Sequence, residues 1–205
     1  MNRFDQTNQI YSKAFEEFGY SADSVLTPKA QSVRFQSVIN FLPEFAGETL
    51  SLADFGCGLG HLNEFLTKNL QIPFQYTGID INPDFLYFNK RKHSKANFVE
   101  RSEFFASRAK FDVITSIGTF NLIYEENERE HKEFVYREIK ELWKKTDAML
   151  YLNFMSTVVD FKQKRAYHQD IGDLYSFVCK NMSRNIMIDS TYLPFEFSAI
   201  IWRSN

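Results

Sequence analysis

The sequence predicts an α/β fold built on a mostly parallel sheet with one reversed strand near its end. Three observations carry this. From Leu50 onward, short apolar runs alternate with helical patterns, and that alternation implies parallel strands joined by right-handed crossovers. The first run ends in a loop with glycine at every second position, Gly56-Cys57-Gly58-Leu59-Gly60. The last two β-rich runs are separated only by a short turn around Tyr192-Leu193-Pro194, and a turn that short forces an antiparallel pair.

The elements follow in order. Residues 4–19 place Phe4, Ile10, Tyr11, Phe15 and Phe18 at spacings that suit an amphipathic helix, and 19–24 read as a loop. A second helix is expected from about Lys29 to Leu42, stopped by Pro43. These two make an N-terminal helical cap, residues 1–47, on a core of residues 48–205. The strands expected in that core are Leu50–Phe55, Phe74–Ile79, Asn97–Glu100, Phe111–Ile117, Ala148–Phe154, Asn185–Ile188 and Phe195–Trp202, seven in all. Between them fall helices near 60–70, 83–92, 126–145 and 170–181. The third of these puts Val135, Ile139, Leu142 and Trp143 on one face, opposite Glu133, Arg137 and Lys140.

Composition excludes several classes. The 205 residues suffice for one domain with a substantial core, and 44% hydrophobic with 24% charged residues is ordinary for a globular protein. The 22 phenylalanines predict an aromatic core or a pocket with aromatic walls. A formal net charge of -2 gives no electrostatic reason to expect nucleic acid or an anionic membrane as partner. No stretch has the apolar length of a transmembrane helix, and the first residues are too polar to begin a signal peptide. Two cysteines, Cys57 and Cys179, make no disulfide framework, so a reduced, cytoplasmic protein is expected.

The motifs give the chemistry. Leu52-Ala53-Asp54-Phe55 is a strand that ends in an acid and opens the glycine loop. Without Cβ atoms the loop can turn sharply and let a ligand lie against it, and the helix that follows aims free N–H groups at that ligand. A second acid, Asp80, closes the next strand about 20 residues on, the spacing at which open α/β sheets grip the ribose of an adenosine-containing cofactor.

Asp54-Phe55-Gly56-Cys57-Gly58-Leu59-Gly60, then Gly78-Ile79-Asp80, then Phe111-Asp112-Val113-Ile114 resemble the successive motifs of class I methyltransferases that use S-adenosylmethionine. The terminal hairpin matches the reversed seventh strand of those enzymes, and the resemblance covers about residues 48–202. It implies a Rossmann-like sheet with helices on both faces. A narrower likeness, in Gln31-Ser32-Val33-Arg34-Phe35, Gly118-Thr119-Phe120-Asn121, Asn153-Phe154, Ser183-Arg184 and Glu196-Phe197, is to a bacterial group with mostly unassigned substrates. A dinucleotide-binding protein competes for the loop, but its third glycine follows the second by three residues, whereas Gly60 follows Gly58 by two.

The resemblance implies a site. Gly56, Cys57, Gly58 and Gly60 would contact the cofactor's amino-acid tail, with Asp54 holding its ammonium. Asp80 would accept from both ribose hydroxyls, and Ile81 would face the adenine. Glu103 and the Phe104 amide would read the adenine edge, unless Glu103 is an ordinary surface charge. Ser116 and Gly118 end the fourth strand at the lip where cofactor and acceptor meet, with Phe120 and Asn121 over the methyl group; Phe120 as plain core competes evenly. Tyr11, Gln31 and Arg34 would reach over from the cap, Arg34 suiting a bidentate contact to the cofactor carboxylate or else lying on the surface.

The polar, aromatic-containing segment Ser156–Gln169 is the expected acceptor lid. Within it Asp160, Tyr167 and His168 are the groups to orient or deprotonate an acceptor. His168, an imidazole, suits a base, or else is a surface residue at a helix start. Asn153 and Glu196, at strand ends, are further acceptor-binding candidates. No metal site is expected, because the four histidines lack ligand spacing. No Gly-x-Ser-x-Gly nucleophile elbow occurs, and no Asn/Asp-Pro-Pro-Tyr/Phe tetrapeptide of the kind that marks enzymes methylating a flipped base. The basic runs 90–93 and 162–165 read as solvated faces. The sequence therefore predicts methyl transfer to O or N of a small molecule, a sugar or secondary-metabolite intermediate. Nucleic-acid methylation with an accessory protein, and a non-catalytic cofactor-binding module, are the competing readings.

Overall fold

A computed structural model describes residues 3–21, 28–45, 47–123, 127–162 and 166–204. The strands are β1 (Leu50–Phe55), β2 (Phe74–Asp80), β3 (Asn97–Glu100), β4 (Phe111–Ile117), β5 (Thr146–Ser156), β6 (His168–Gln169), β7 (Ile186–Asp189) and β8 (Glu196–Trp202). They form one sheet in the order β3-β2-β1-β4-β5-β8-β7, with the two-residue β6 pairing on β5. β8 runs antiparallel to both β5 and β7, and the pairs from β3 across to β5 are parallel. The expected architecture is therefore present, and the eighth strand is the two residues of β6.

The helices are α1 (Arg3–Phe18), α2 (Pro28–Ile39), α3 (His61–Asn69), α4 (Pro83–Lys92), α5 (Arg101–Ala106), α6 (Glu128–Lys145) and α7 (Ile171–Asn181). α2 ends at Ile39, short of the expected Leu42, and Pro43 sits in a following 3-10 turn, Leu42–Phe45. α5 was not expected from the sequence. It forms because the Glu100 side chain caps it, accepting the Ser102 N–H at 2.9 Å. Asn82 and Asp170 cap α4 and α7 in the same way.

Alternation along the strands places core on both faces. Leu50 and Leu52 pack with Leu62, Leu66 and Met149 on one side, while Ala53 and Phe55 pack with Ile139, Leu142 and Leu150 on the other. The aromatic surplus is spent partly here: Phe55, Phe120, Phe154 and Phe197 form a row with successive ring centroids 6.1, 6.0 and 5.8 Å apart.

Chain order reverses between β1 and β4, and in open α/β sheets ligands bind in the crevice outside the carboxyl edge of the strands at such a switch point. Two helices lie over that edge. In α1, Asn8 donates to the Ile81 carbonyl at 3.1 Å and Ser12 to Asp84 at 2.6 Å. In α2, the Ser37 hydroxyl accepts from the buried Tyr151 of β5 at 2.9 Å.

Candidate functional site

The crevice holds a cavity of about 220 Å³ between the carboxyl ends of the strands and the two N-terminal helices. β1 delivers Asp54 to its wall at 4% exposure. The Tyr76 hydroxyl donates to one oxygen of Asp54 at 2.6 Å and Thr115 to the other at 3.0 Å. Burial, and then the Asp54 charge, push the Tyr76 phenol well above its ordinary pKa, so it stays a donor and fixes the carboxylate.

The glycine loop then turns back on β2. The N–H groups of Gly56 and Cys57 both donate to the Ile79 carbonyl, at 2.8 and 3.0 Å. Gly56 has φ 80°, and a Cβ there would come within 2.5 Å of Thr119 Cγ2, so neither backbone nor space admits a side chain. Gly58, at φ 51°, donates its N–H to Asp80 Oδ2 at 2.8 Å, while Asn82 N–H donates to Oδ1 at 2.9 Å. Asp80 is thus aimed by two backbone amides in the wall of the cavity it lines. Asn89, fully buried, donates to the Gly58 carbonyl at 2.7 Å and locks the loop from behind.

Of the residues expected to bind cofactor, Tyr11, Arg34, Asp54, Gly56, Cys57 and Gly58 line the cavity, as do Asp80, Ile81 and Gly118. A Cβ at Gly118 would meet only Asn121 Nδ2, at 3.8 Å, so the backbone there fronts open space. Phe120 lines the cavity and is also part of the core at 2% exposure.

Four others stand elsewhere. Gly60, at φ 76°, is the N-cap of α3 and faces His93 and Asn89. Glu103 lies on the exposed side of α5, and the Phe104 ring is buried against Phe55, Phe105 and Phe111. Neither of their side chains lines the cavity, because the unexpected helix turns Glu103 outward and Phe104 into the core. Ser116 is fully buried behind the lining residue Ile117.

The acceptor-side expectations need correction. Asp160 is exposed and away from the cavity. The Tyr167 hydroxyl donates to Gln169 at 2.7 Å, its N–H donates to the Asn121 carbonyl at 2.8 Å, and burial pushes its pKa up. His168 is buried at 3%, with Nδ1 2.8 Å from the Ser156 carbonyl. β6 holds His168 on β5 and the Asn121 carbonyl holds Tyr167, and neither residue lines the cavity. Residues 163–165 of this segment lie outside the described residues.

Asn121 is a strut, its Oδ1 accepting the Met155 N–H at 3.1 Å. Glu196 and Asn153 serve Arg34. Arg34 Nε donates to Glu196 Oε2 at 2.6 Å, Nη2 bonds Oε1, and Asn153 donates to the same carboxylate at 3.0 Å and to the Tyr192 hydroxyl at 2.7 Å. With side chains 4% and 12% exposed, this pair is largely shielded from solvent, and the Nε and Nη2 side of the Arg34 fork is already engaged by Glu196.

Several further residues, not singled out as binding groups from the sequence, line the cavity. Thr119 donates to the Phe55 carbonyl at 2.8 Å, and His61 opens α3 with its ring 4.1 Å from that of Tyr20. Arg101 and Glu138 form a second ion pair in the wall, below Phe4 and Phe134. Among the described residues no cluster of ligands suits a metal ion, and no helix is long and apolar enough to cross a membrane.

Sheet order, reversed last strand, glycine loop and strand-end acid are together those of the class I, Rossmann-like methyltransferase fold. Residues 53–150 match the family model described as a methyltransferase domain. By structure the chain is similar to magnesium protoporphyrin IX methyltransferase from Synechocystis PCC 6803 with bound S-adenosylhomocysteine: TM-score 0.70, 17% identity, 98% of this chain and 97% of that one. It is also similar to a TehB-like S-adenosylmethionine-dependent methyltransferase from Corynebacterium glutamicum, with TM-score 0.57, 13% identity and coverage of 98% and 100%. A third is the plantazolicin methyltransferase BpumL, with TM-score 0.61, 16% identity and coverage of 98% and 91%. No curated protein matches the chain by sequence.

Proposed function

We propose that the protein transfers the methyl group of S-adenosylmethionine to an oxygen or nitrogen of a small-molecule acceptor. The observation that carries this reading is the Asp80 cradle. A carboxylate aimed by the amides of Gly58 and Asn82 stands one strand from the buried Asp54 carboxylate, both in one cavity. The cofactor bears a sulfonium, an ammonium and a carboxylate, and the wall offers the complementary set. Asp54 attracts the ammonium, Asp80 accepts from the ribose hydroxyls, Ile81 flanks the base, and Arg34 presents its remaining N–H groups to the carboxylate while Glu196 and Asn153 hold it in place. The open backbone at Gly118 admits the methionine portion.

When bound, the cofactor would supply an electrophilic methyl carbon: an acceptor O or N lone pair would form the new bond as the carbon–sulfur bond breaks, S-adenosylhomocysteine would be the leaving group, and the acceptor's proton would pass to water. The sulfonium is already activated, so the chain contributes alignment and exclusion of water.

The cavity wall favours a small acceptor over nucleic acid. Both lining arginines are charge-paired within the protein, to Glu196 and Glu138, which leaves neither as an uncompensated cation for a phosphate backbone. The test is to incubate the protein with methyl-labelled cofactor and a metabolite extract, RNA and bulk protein in separate reactions. Label is expected in the low-molecular-weight fraction. Label confined to RNA overturns the acceptor class, and absence of any heat on titrating either sulfur compound into folded protein overturns the cofactor.

A further inference from the structure

Arg101 and Glu138 are 37 residues apart in sequence and meet in the cavity wall. Arg101 Nε donates to Glu138 Oε2 at 2.9 Å, and Nη2 donates to Oε1 and Oε2 at 2.6 and 2.7 Å. The side chains are 24% and 4% exposed. Burying such a pair costs desolvation, and as a bare tie between α5 and α6 it is replaceable by apolar side chains at little loss. Its place in the cavity suggests another use.

The loop and acid of β1, the end of β2 and the residue after β3 lie on adjacent strands in the order β1-β2-β3. Strands stand about 4.8 Å apart, so a ligand laid along this edge meets Asp54 and Gly58 first, then Asp80, then Arg101. If the tail sits at β1 and the ribose at β2, the base falls at Arg101 and Glu138. The walls there suit a flat ring: Phe4 lies 5.0 Å from the Arg101 guanidinium carbon, with Phe134 edge-on to Phe4 at 6.1 Å. Phe4, Ile81, Phe120 and Phe134 all line the cavity.

The geometry points to Arg101 and Glu138 as the pair that reads the edge of the cofactor's adenine, a specificity-determining role that rests on the cofactor site proposed above. Glu138 accepts from the exocyclic amine with a lone pair that Arg101 leaves unused, and Arg101 Nη1 donates to the neighbouring ring nitrogen. Hypoxanthine, with an oxo group in place of the amine and a protonated ring nitrogen, presents the opposite pattern. The pair also brings α6 into the site, an element the glycine loop and Asp80 do not touch.

Calorimetry with S-adenosylhomocysteine and its deaminated analogue S-inosylhomocysteine tests this. Wild type should prefer the adenosyl compound by tenfold or more. Glu138→Gln turns an amide N–H₂ toward the base and should reduce that preference at least tenfold. The double variant Arg101→Leu/Glu138→Leu, which keeps the packing without the charges, should fold and bind the two compounds within about threefold of each other. Should the single exchange unfold the protein, the double variant carries the same comparison. A preference unchanged from wild type in either folded variant makes the pair a structural tie and overturns the proposal. Wild type that binds neither compound refutes the cofactor site itself, a result distinct from binding both with altered preference.

Discussion

Replacing Asp80 by alanine separates the ligand-binding and loop-holding parts of its role. Its carboxylate accepts Gly58 N–H at 2.8 Å and Asn82 N–H at 2.9 Å, and it lines the cavity. A hydrogen bond to a charged group is worth about 1.5–3 kcal/mol, and the two ribose hydroxyls share one carboxylate. The loss in cofactor binding should therefore be about 1.5–3 kcal/mol, a 10- to 150-fold rise in Kd. Freeing the two amides costs about 0.5–1.5 kcal/mol each in loop order, read as a lower Tm. Titration calorimetry with S-adenosylhomocysteine and its 2′-deoxy analogue divides the two effects. The analogue should bind wild type more weakly than the parent, yet bind Asp80→Ala about as well as the parent does, because the partner of the missing hydroxyl is gone. An unchanged Kd in Asp80→Ala, or an equal penalty for the analogue in both proteins, removes Asp80 from the ribose site and leaves it as a loop anchor.

Gly58→Val should leave a folded protein that no longer binds cofactor, since φ 51° is strained for a β-branched residue and the loop fronts the ligand; circular dichroism with a cofactor titration checks it, and normal binding refutes it. His168→Ala should lower Tm, by the loss of a buried bond worth about 1–3 kcal/mol, while kcat stays within twofold, because the ring faces Ser156 and not the cavity. A large fall in kcat at unchanged stability would restore it to the catalytic machinery. Stability should also fall in alkali. Tyr136 is pushed up to about 12 by burial, and the phenols of Tyr76, Tyr151, Tyr167 and Tyr192 are raised by the same cause. Folded pKa values above the unfolded value near 10 mean the unfolded chain releases these protons first. The urea midpoint should therefore hold up to about pH 9.5 and drop between 10 and 12, and a flat profile across that window would contradict the burial.

What the sequence shows is what lies close together in it. Period-2 and period-3.6 patterning placed β1, β3, β4 and α4 at their observed bounds, because side-chain alternation is set within a few residues. The glycine loop and Asp80 were legible for the same reason: loop geometry and a strand-end acid are local demands, and parallel pairing of β1 with β2 brings them together automatically. The two-residue β6 was not legible, because its strand character comes from its partner. Met155 and Ser156 hold His168 and Gln169 in register, and nothing in that dipeptide favours a strand.

The same limit decided which carboxylate stands at the base end of the cavity. Glu100, Glu103 and Glu138 all lie in or near that region of the fold, and proximity to β3 favoured Glu103. The Glu100 side chain instead folds onto Ser102 and starts α5, which turns Glu103 to solvent and Arg101 toward the cavity. An inward arginine at partial burial needs a counter-charge, and α6 supplies Glu138 from the buried face that also carries Phe134 and Val135. A carboxylate on the apolar face of an otherwise amphipathic helix is costly without a partner. The acid among Phe134, Val135 and Ile139 is the signal in the sequence that marks the pair, and it gains meaning only once the fold shows what lies opposite.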